Sequence, residues 1–384
     1  MKVDLLLKGG RVIDPAQKIS QPLDVGIYQG KIKFLAKNPA EVEADLTEDV
    51  TGKLVVPGLI DLHTHVYWGG VPEAIKADPV SVKTGVSTFV DAGSAGAGNF
   101  LGFKEYVINR SKSRIFAFLN IYYPGLVNYT SYLPEFDRNP IQYACVTAAV
   151  DTGKKFEESI VGIKVMASSD YNYSGMVAVQ VAIEAAKQLG KPVMAHFSVP
   201  PVTPRELLPV LRPGDILTHS FRGSPNSCLS EDGKVMPELY EAKKRGVIID
   251  IGHGCESFSF EVARRMLEGG LFPDVISSDL HAKSINGPAY DLPTTMSKFL
   301  SLGMGLEEVI AATTWTPARV IGKEDELGHL KEGTMADIAV FELEEGEFEF
   351  FDGTTKFTGK KRLKHIMTII QGEILRPLEN ISDN

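Results

Sequence analysis

Cysteine is scarce in this chain. Only three occur among 384 residues, and Cys145, Cys228 and Cys255 stand far apart, in none of the spacings that serve disulfide frameworks, metal knuckles or redox pairs. Pairing any two would leave one over, so a reducing, cytoplasmic compartment is the expectation. Long apolar runs are missing as well: no stretch of about 18 apolar residues is present, which argues against a membrane-spanning helix. The first ten residues carry Asp4 inside a short apolar run and lack the basic start of a secretory leader. Positive charge is in short supply, with 40 Lys and Arg against 49 Asp and Glu and a net charge of −9. A phosphate-binding surface concentrates basic residues, so nucleic acid is not an expected partner. The one compact basic cluster, Lys360 to Lys364, reads as part of a solvated strand or turn.

What the chain does contain is an ordinary globular composition, 43% hydrophobic and 23% charged, and enough length for one large α/β domain or two smaller ones. Residues 1–53 read as short alternating strands, DLLLKGGRVID and PLDVGIYQGKIKFLA, with turns at Gly9-Gly10 and Gly30. From Leu54 a strand-then-helix rhythm takes over, with strand segments LVVPGLIDLH, STFVDAG, IFAFLNIYY, VGIKVMAS, PVMAHFS, DILTHSF, VIIDIGHG and VISSDLH. Eight such units close a barrel, so the expected fold class is α/β, a (β/α)8 TIM barrel over residues 54–325. Residues 326–384 return to alternating strands in DIAVFEL, EFEFFDG and KHIMTIIQGEIL. Head and tail are expected to meet in one small β-sandwich, because strands left alone expose their edges.

Chemistry in such a barrel gathers at the C-terminal ends of the strands. His63 and His65 end the first strand in LIDLHTHV, and residues two apart on a strand point the same way. Lys164 lies on the fourth strand, His196 on the fifth, His219 on the sixth and Asp279 on the eighth. Four of only eight histidines in the chain therefore fall at strand ends, a placement that chance would scatter over helices and loops. His253 and His281 are near the same mouth, as substrate contacts or as loop packing, whereas His329 and His365 belong to the β-rich tail.

Lys164 needs its own account, because an ammonium inside an apolar strand is costly and cannot ligate a cation. Burial and nearby metal charge favour the neutral amine. A neutral amine can add carbon dioxide to give a carbamate with two oxygens, one for each of two metals. The competing reading is a lysine that snorkels to the mouth and pairs with a carboxylate.

Together these residues resemble the amidohydrolase superfamily, with HxH on the first strand, a bridging carboxylated lysine on the fourth, His on the fifth and sixth, and Asp on the eighth. The segments LLLKGGRVIDP, VPGLIDLHTHV and GHLKEGTMADIAVFE resemble its flanking β-sandwich and first barrel strand. Within it, GIKVMAS, AHFS, THSFRG, DIGHG and SSDLHAKSINGP are most similar to the dihydroorotase-like branch that includes deacetylases. The resemblance implies that His63, His65 and Asp279 hold one metal, His196 and His219 a second, and the carbamate of Lys164 both. Zn²⁺ suits imidazole and carboxylate donors, and Mn²⁺, Fe²⁺ or Co²⁺ suit them too.

The expected activity is hydrolysis of an amide or ester bond in a small acylated amino acid or hydroxy acid, by a hydroxide shared between two metals. Asp279 would carry the proton from that water to the leaving group. Arg222 is a candidate for binding a substrate carboxylate, and Tyr67 and His253 for orienting the acyl or leaving group. The glycines of YWGG and DAGSAGAGN lack the lysine of a phosphate loop. Alternatives are a cyclic amidase of dihydroorotase or hydantoinase type, a heterocycle deaminase, and a metal-free oligomeric scaffold that is not an enzyme. A homo-oligomer is compatible with all of them.

Overall fold

The structure, a computed structural model, describes residues 1–129, 140–169, 171 and 173–376. The head of the chain forms β1 (Lys2–Asp14), β2 (Ile19–Tyr28), β3 (Lys31–Ala36), β4 (Glu43–Asp49) and β5 (Leu54–Pro57). The middle forms β6 (Leu59–Thr64), β7 (Val86–Gly96), β8 (Arg114–Asn120), β9 (Ile160–Met166), β10 (Val193–His196), β11 (Ile216–Leu217) and β12 (Ile248–Ile249). The tail adds β13 (Ile338–Phe351), β14 (Lys356–Ile370) and β15 (Glu373–Ile374). Between them run α1 (Ala77–Thr84), α2 (Phe100–Tyr106), α3 (Val146–Lys155), α4 (Met176–Leu189) and α5 (Pro204–Leu207). The later helices are α6 (Pro237–Arg245), α7 (Phe260–Glu268), α8 (Leu292–Ser301), α9 (Leu306–Ala311) and α10 (Trp315–Val320).

Head and tail share one hydrogen-bonded sheet of eight strands, in the order β15-β14-β13-β5-β1-β2-β3 with β4 beside β1. The joint is β5, antiparallel to β13 and parallel to β1. Alternating residues of both ends, among them Leu5, Leu7, Val12, Val25, Val55, Ile338 and Val340, pack into a common core. The expected first barrel strand over 54–63 is therefore two strands. Leu54–Pro57 belongs to this terminal sheet, and after Gly58 the chain passes to the parallel sheet as β6.

The second sheet has seven strands in the order β12-β11-β10-β9-β8-β7-β6, and its pairings are parallel. Such strands bury both faces, which is why β9 reads IVGIKVM and is buried at every position. The expected eighth strand, VISSDLH, is not continuous: Val275 bridges Asp250 and Leu280 bridges Thr64, so the segment touches both ends of the sheet. Helices lie between successive strands, as the periodicity predicts. In α4 the buried residues Ala178, Val179, Ala182, Ile183, Ala185 and Ala186 form one stripe, and Gly190 ends the helix in a left-handed conformation (φ 64°) that a glycine adopts without strain.

The two expected tail strands DIAVFEL and EFEFFDG are one strand, β13, which with β14 makes a long hairpin. Fourteen residues at strand rise span roughly 45 Å. The hairpin leaves the terminal sheet and runs along α8, where Ser297 Oγ accepts from Leu363 N (2.9 Å) and Ser301 Oγ donates to Lys361 O (3.0 Å). The basic cluster at 360–364 faces acidic β13 residues, with Lys360 paired to Glu347 and Arg362 to Glu344. Among the described residues no helix is long and apolar enough to cross a membrane.

Candidate metal centre

β6 ends at Thr64 and carries His63, with His65 one residue beyond. His63 Nδ1 lies 2.8 Å from Thr218 Oγ1, and the Thr218 hydroxyl donates to Asp250 Oδ2 at 2.7 Å. That hydroxyl proton is committed to the carboxylate, so its oxygen accepts from His63 Nδ1–H and the Nε2 lone pair is left on the side of Asp279 and Lys164. Nε2 stands 3.4 Å from Asp279 Oδ1 and 3.2 Å from Lys164 Nζ. His65 Nε2 approaches the same Oδ1 at 3.3 Å, its Nδ1 being held 2.9 Å from Ser94 Oγ.

Beside His63, His219 Nδ1 donates to Gly252 O (2.7 Å), which again leaves Nε2 as a lone-pair donor. His196 Nε2 meets Ser198 Oγ at 3.1 Å. The His196 and His219 ring centroids are 4.4 Å apart, and His63 and His219 5.0 Å. The structure thus brings all six expected residues together, Lys164 lying fully buried on β9. His219 (φ 65°) and Asp279 (φ 47°) hold left-handed backbone, a conformation that non-glycine residues rarely adopt and that collects at functional positions.

Three buried carboxylates support these groups. Asp250 also accepts from Ser277 Oγ (2.6 Å); Asp91 accepts from Val66 N (2.9 Å) and Ser94 N (2.7 Å); Asp61 accepts from Ser278 N (3.0 Å) and from its hydroxyl, beside Asp279. Burial pushes Asp61 up to about 7 and Asp250 up to about 6, and raises Asp91. Burial also lowers His63 and His196, takes His219 down to about 3, and takes Lys164 down to about 8 against the pull of Asp279, Asp250 and Asp91. For Asp279 burial acts upward, but the hydrogen bond from His65 and the His281 and His219 charges outweigh it and hold the carboxyl at about 2.

The donor chemistry fits a divalent cation. The ligand atoms of His63, His65 and Asp279 all lie within 4.8 Å of one another. An imidazole lone pair facing a carboxylate oxygen at 3.4 Å is repulsive until a cation stands between them, and two imidazoles with a carboxylate are a zinc-type set.

A cavity of about 200 Å³ opens over the centre, lined by His63, His65, His196, His219 and Asp279 together with Arg222, Glu73, Tyr129, Tyr171, Cys255, His281 and Lys283. Of the three expected substrate contacts, only Arg222 reaches it, with Nη1 donating to Phe197 O at 3.0 Å. Tyr67 does not: its ring stacks on Phe103 (centroids 4.6 Å) and its hydroxyl donates to Asn99 O. The two-residue alternation of His63 and His65 does not extend to it because β6 has already ended. His253 turns the other way, fully buried against Phe258 and bonded to Lys298. Sequence reasoning missed Glu73, which pairs with Lys283, and the stacked Tyr129–Tyr171 pair (4.7 Å). It also missed the three carboxylates, whose only signal was an acidic residue inside an otherwise apolar strand.

The profile of the amidohydrolase family matches residues 256–375. A deacetylase of Brucella anthropi is 40% identical over 87% of this chain and 82% of its own length. This chain belongs to the amidohydrolase family. A deacetylase of Enterococcus faecalis is 30% identical over 97% of this amidohydrolase and 99% of its own length. Among solved structures, an adenine deaminase superposes with a TM-score of 0.89 at 29% identity (98% of this chain, 100% of that one), and a dihydroorotase with 0.87 at 36% (97% and 98%). The amidohydrolase is accordingly a hydrolytic enzyme.

Proposed function

We propose that this amidohydrolase removes the acyl group from a small acylated amino acid or hydroxy acid, with two divalent ions bound at the mouth of a closed eight-stranded barrel. In this reading the barrel runs from β6 to residue 325, the segment 275–280 completes it, and residues 1–57, with β5 in place of the expected start of the barrel, join residues 326–384 in its flanking β-sandwich. The observation that carries the reading is the convergence of His63 and His65 on one oxygen of Asp279 while Lys164 touches His63 from beneath. The deacetylase names of the Brucella and Enterococcus relatives support the choice of reaction.

His63, His65 and Asp279 would hold one ion, His196 and His219 the other, and a carbamate on Lys164 both. When bound, such ions, zinc by donor type, supply Lewis acidity towards a carbonyl oxygen and lower the pKa of water. The chain's own residues do the rest. A lysine with a pKa of about 8 has roughly a tenth of its amine neutral at pH 7, enough to take up carbon dioxide. Asp279, ionised at neutral pH, accepts the proton of the attacking water and returns it to the leaving nitrogen or oxygen. Arg222 binds the substrate carboxylate. Thr218 and the Gly252 carbonyl keep His63 and His219 in the orientation that presents their lone pairs, and Ser94 holds the His65 ring in place.

The test is a panel of N-acetyl amino acids and O-acetyl hydroxy acids, assayed before chelation, after chelation, and after return of zinc. The reading expects turnover that chelation abolishes and zinc restores; turnover that survives exhaustive chelation overturns it. The dihydroorotase and adenine deaminase likenesses favour ring amides and purines as the competing substrates. Opening of a cyclic amide or release of ammonia, with no acyl hydrolysis, would move the assignment to them.

A further inference from the structure

The segment after β12 forms part of the cavity wall through Cys255, Glu256 and Ser257, although β12 itself is only two residues long. From the barrel side it is held by His253 N to Ser277 O (3.2 Å) and Gly254 N to Ser278 O (3.0 Å). Further support comes from α8 and the far end of the β13–β14 hairpin. Lys298 on α8 is fully buried, and its Nζ donates to His253 Nε2 (2.6 Å), Pro288 O (2.8 Å) and Phe351 O (2.7 Å). Three protons meet three acceptors, one of them on the hairpin. The His253 Nδ1–H donates to Gly254 O (3.0 Å), so the ring is in the tautomer that lets Nε2 accept from lysine.

At the tip, Asp352 Oδ2 accepts from Phe260 N (2.9 Å) at the start of α7. Gly353 (φ 106°) sits so close to the segment that a Cβ there would come within 2.7 Å of Cys255 O. Gly254 in turn packs on the catalytic carboxylate, where a Cβ would come within 2.5 Å of Asp279 Oδ2. A continuous set of contacts therefore runs from the hairpin tip, through Lys298 and His253, to the wall of the cavity and the side of Asp279.

We propose that the β13–β14 hairpin tip, tied in through Lys298 as a positioning residue, sets the place of residues 253–257 and thereby the fit of substrate in the catalytic cavity. His63 and His65 are anchored outside the segment by Thr218 and Ser94, Asp279 by Ser284 Oγ on its carbonyl (2.8 Å), and Gly252, whose carbonyl orients His219, by Ser277 Oγ (2.9 Å), so displacement of residues 253–257 changes substrate fit and leaves metal binding in place. The kinetic part of this proposal rests on the deacylase reading; the position of the segment does not, and it can be read without any substrate.

The variants are Lys298→Met, which keeps length but loses all three hydrogen bonds, and Gly353→Ala, which pushes on Cys255 from outside the barrel. Metal content per chain, KM and kcat are measured in the full-length protein, together with the native-state alkylation rate of each cysteine by mass spectrometry. Both variants are expected to raise KM about tenfold or more, change kcat less than about threefold and keep the wild-type metal content. Alkylation of Cys255 should accelerate at least about fivefold while Cys145 and the buried Cys228 keep their rates. The double variant should fall well short of the product of the two single effects, as groups in one contact chain do. If Lys298→Met does not fold, Gly353→Ala carries the same readouts. An unchanged Cys255 rate, or acceleration of all three cysteines together, overturns the proposal, as does a fall in kcat at constant KM. Accelerated Cys255 in a protein that hydrolyses no acyl substrate would leave the positioning role standing and remove the deacylase reading alone.

Discussion

Replacing Thr218 by valine preserves the shape of the side chain and deletes only its hydroxyl. That hydroxyl makes two buried hydrogen bonds, accepting from His63 Nδ1 at 2.8 Å and donating to Asp250 Oδ2 at 2.7 Å. Asp250 keeps the bond from Ser277 Oγ, so it is not stripped of partners, whereas the His63 N–H loses its short one. One orphaned buried donor and one weakened acceptor should lower folding stability by about 2 kcal/mol, measured by denaturant unfolding of the metal-free protein. The larger effect is on the tautomer. Without an acceptor at Nδ1 the proton can move to Nε2, which then no longer offers a lone pair. Loss of such support under a histidine ligand weakens metal binding by about 10- to 100-fold. Equilibrium competition with a zinc chelator reads this directly, and Thr218→Ser, which keeps the hydroxyl, should stay within about threefold of wild type. Wild-type zinc affinity in the valine variant, with the stability loss intact, would refute the assignment of Thr218 as the group that orients His63.

Three further outcomes are expected. Asp279→Asn should lower kcat by about 10²- to 10⁴-fold, because the amide cannot accept the proton, and an activity loss of less than tenfold in the zinc-loaded variant would remove Asp279 from that role. Arg222→Met should raise KM about 10- to 100-fold for acylated substrates that carry a carboxylate and change little for the corresponding methyl esters; equal effects on both would show that Arg222 does not bind the carboxylate. His365, on β14 with Nε2 2.8 Å from Thr368 Oγ1, is held down at about 4 by burial, below the usual histidine value near 6.5. The unfolded chain therefore binds a proton between pH 4 and 6.5 that the folded one does not, so its contribution is present above pH 6.5 and is lost as pH falls towards 4. It amounts to about 2 kcal/mol after allowance for partial exposure, and unfolding curves of His365→Gln should be flatter than wild type across that window by this amount.

The site residues were legible in the sequence because each is a polar residue inside or just beyond a buried apolar segment. That is how His63, Lys164, His196, His219 and Asp279 could be named together. Side-chain direction beyond the strand was not legible. Tyr67 follows the last strand residue by three positions and rotates onto Phe103, and His253 sits between Gly252 and Gly254, both at positive φ, which turn its ring towards Lys298. The partners of Asp61, Asp91 and Asp250 were out of reach for a different reason: the contact of Asp61 with Ser278 spans 217 residues, and local spacing carries no trace of it. The head and tail were readable as strands, but their register was not. The passage of β5 into the terminal sheet is decided by its pairing with β13, almost three hundred residues later.

That pairing has a bearing on how the chain is made. The early strands bury Leu5, Val12 and Val55 against Ile338 and Val340, which leave the ribosome roughly 15–60 s later at ordinary elongation rates. For that interval the strands over residues 2–57 present apolar faces without their partners from the tail. A chain that stops anywhere before β13 is therefore expected to keep those faces exposed and to depend on chaperones through them.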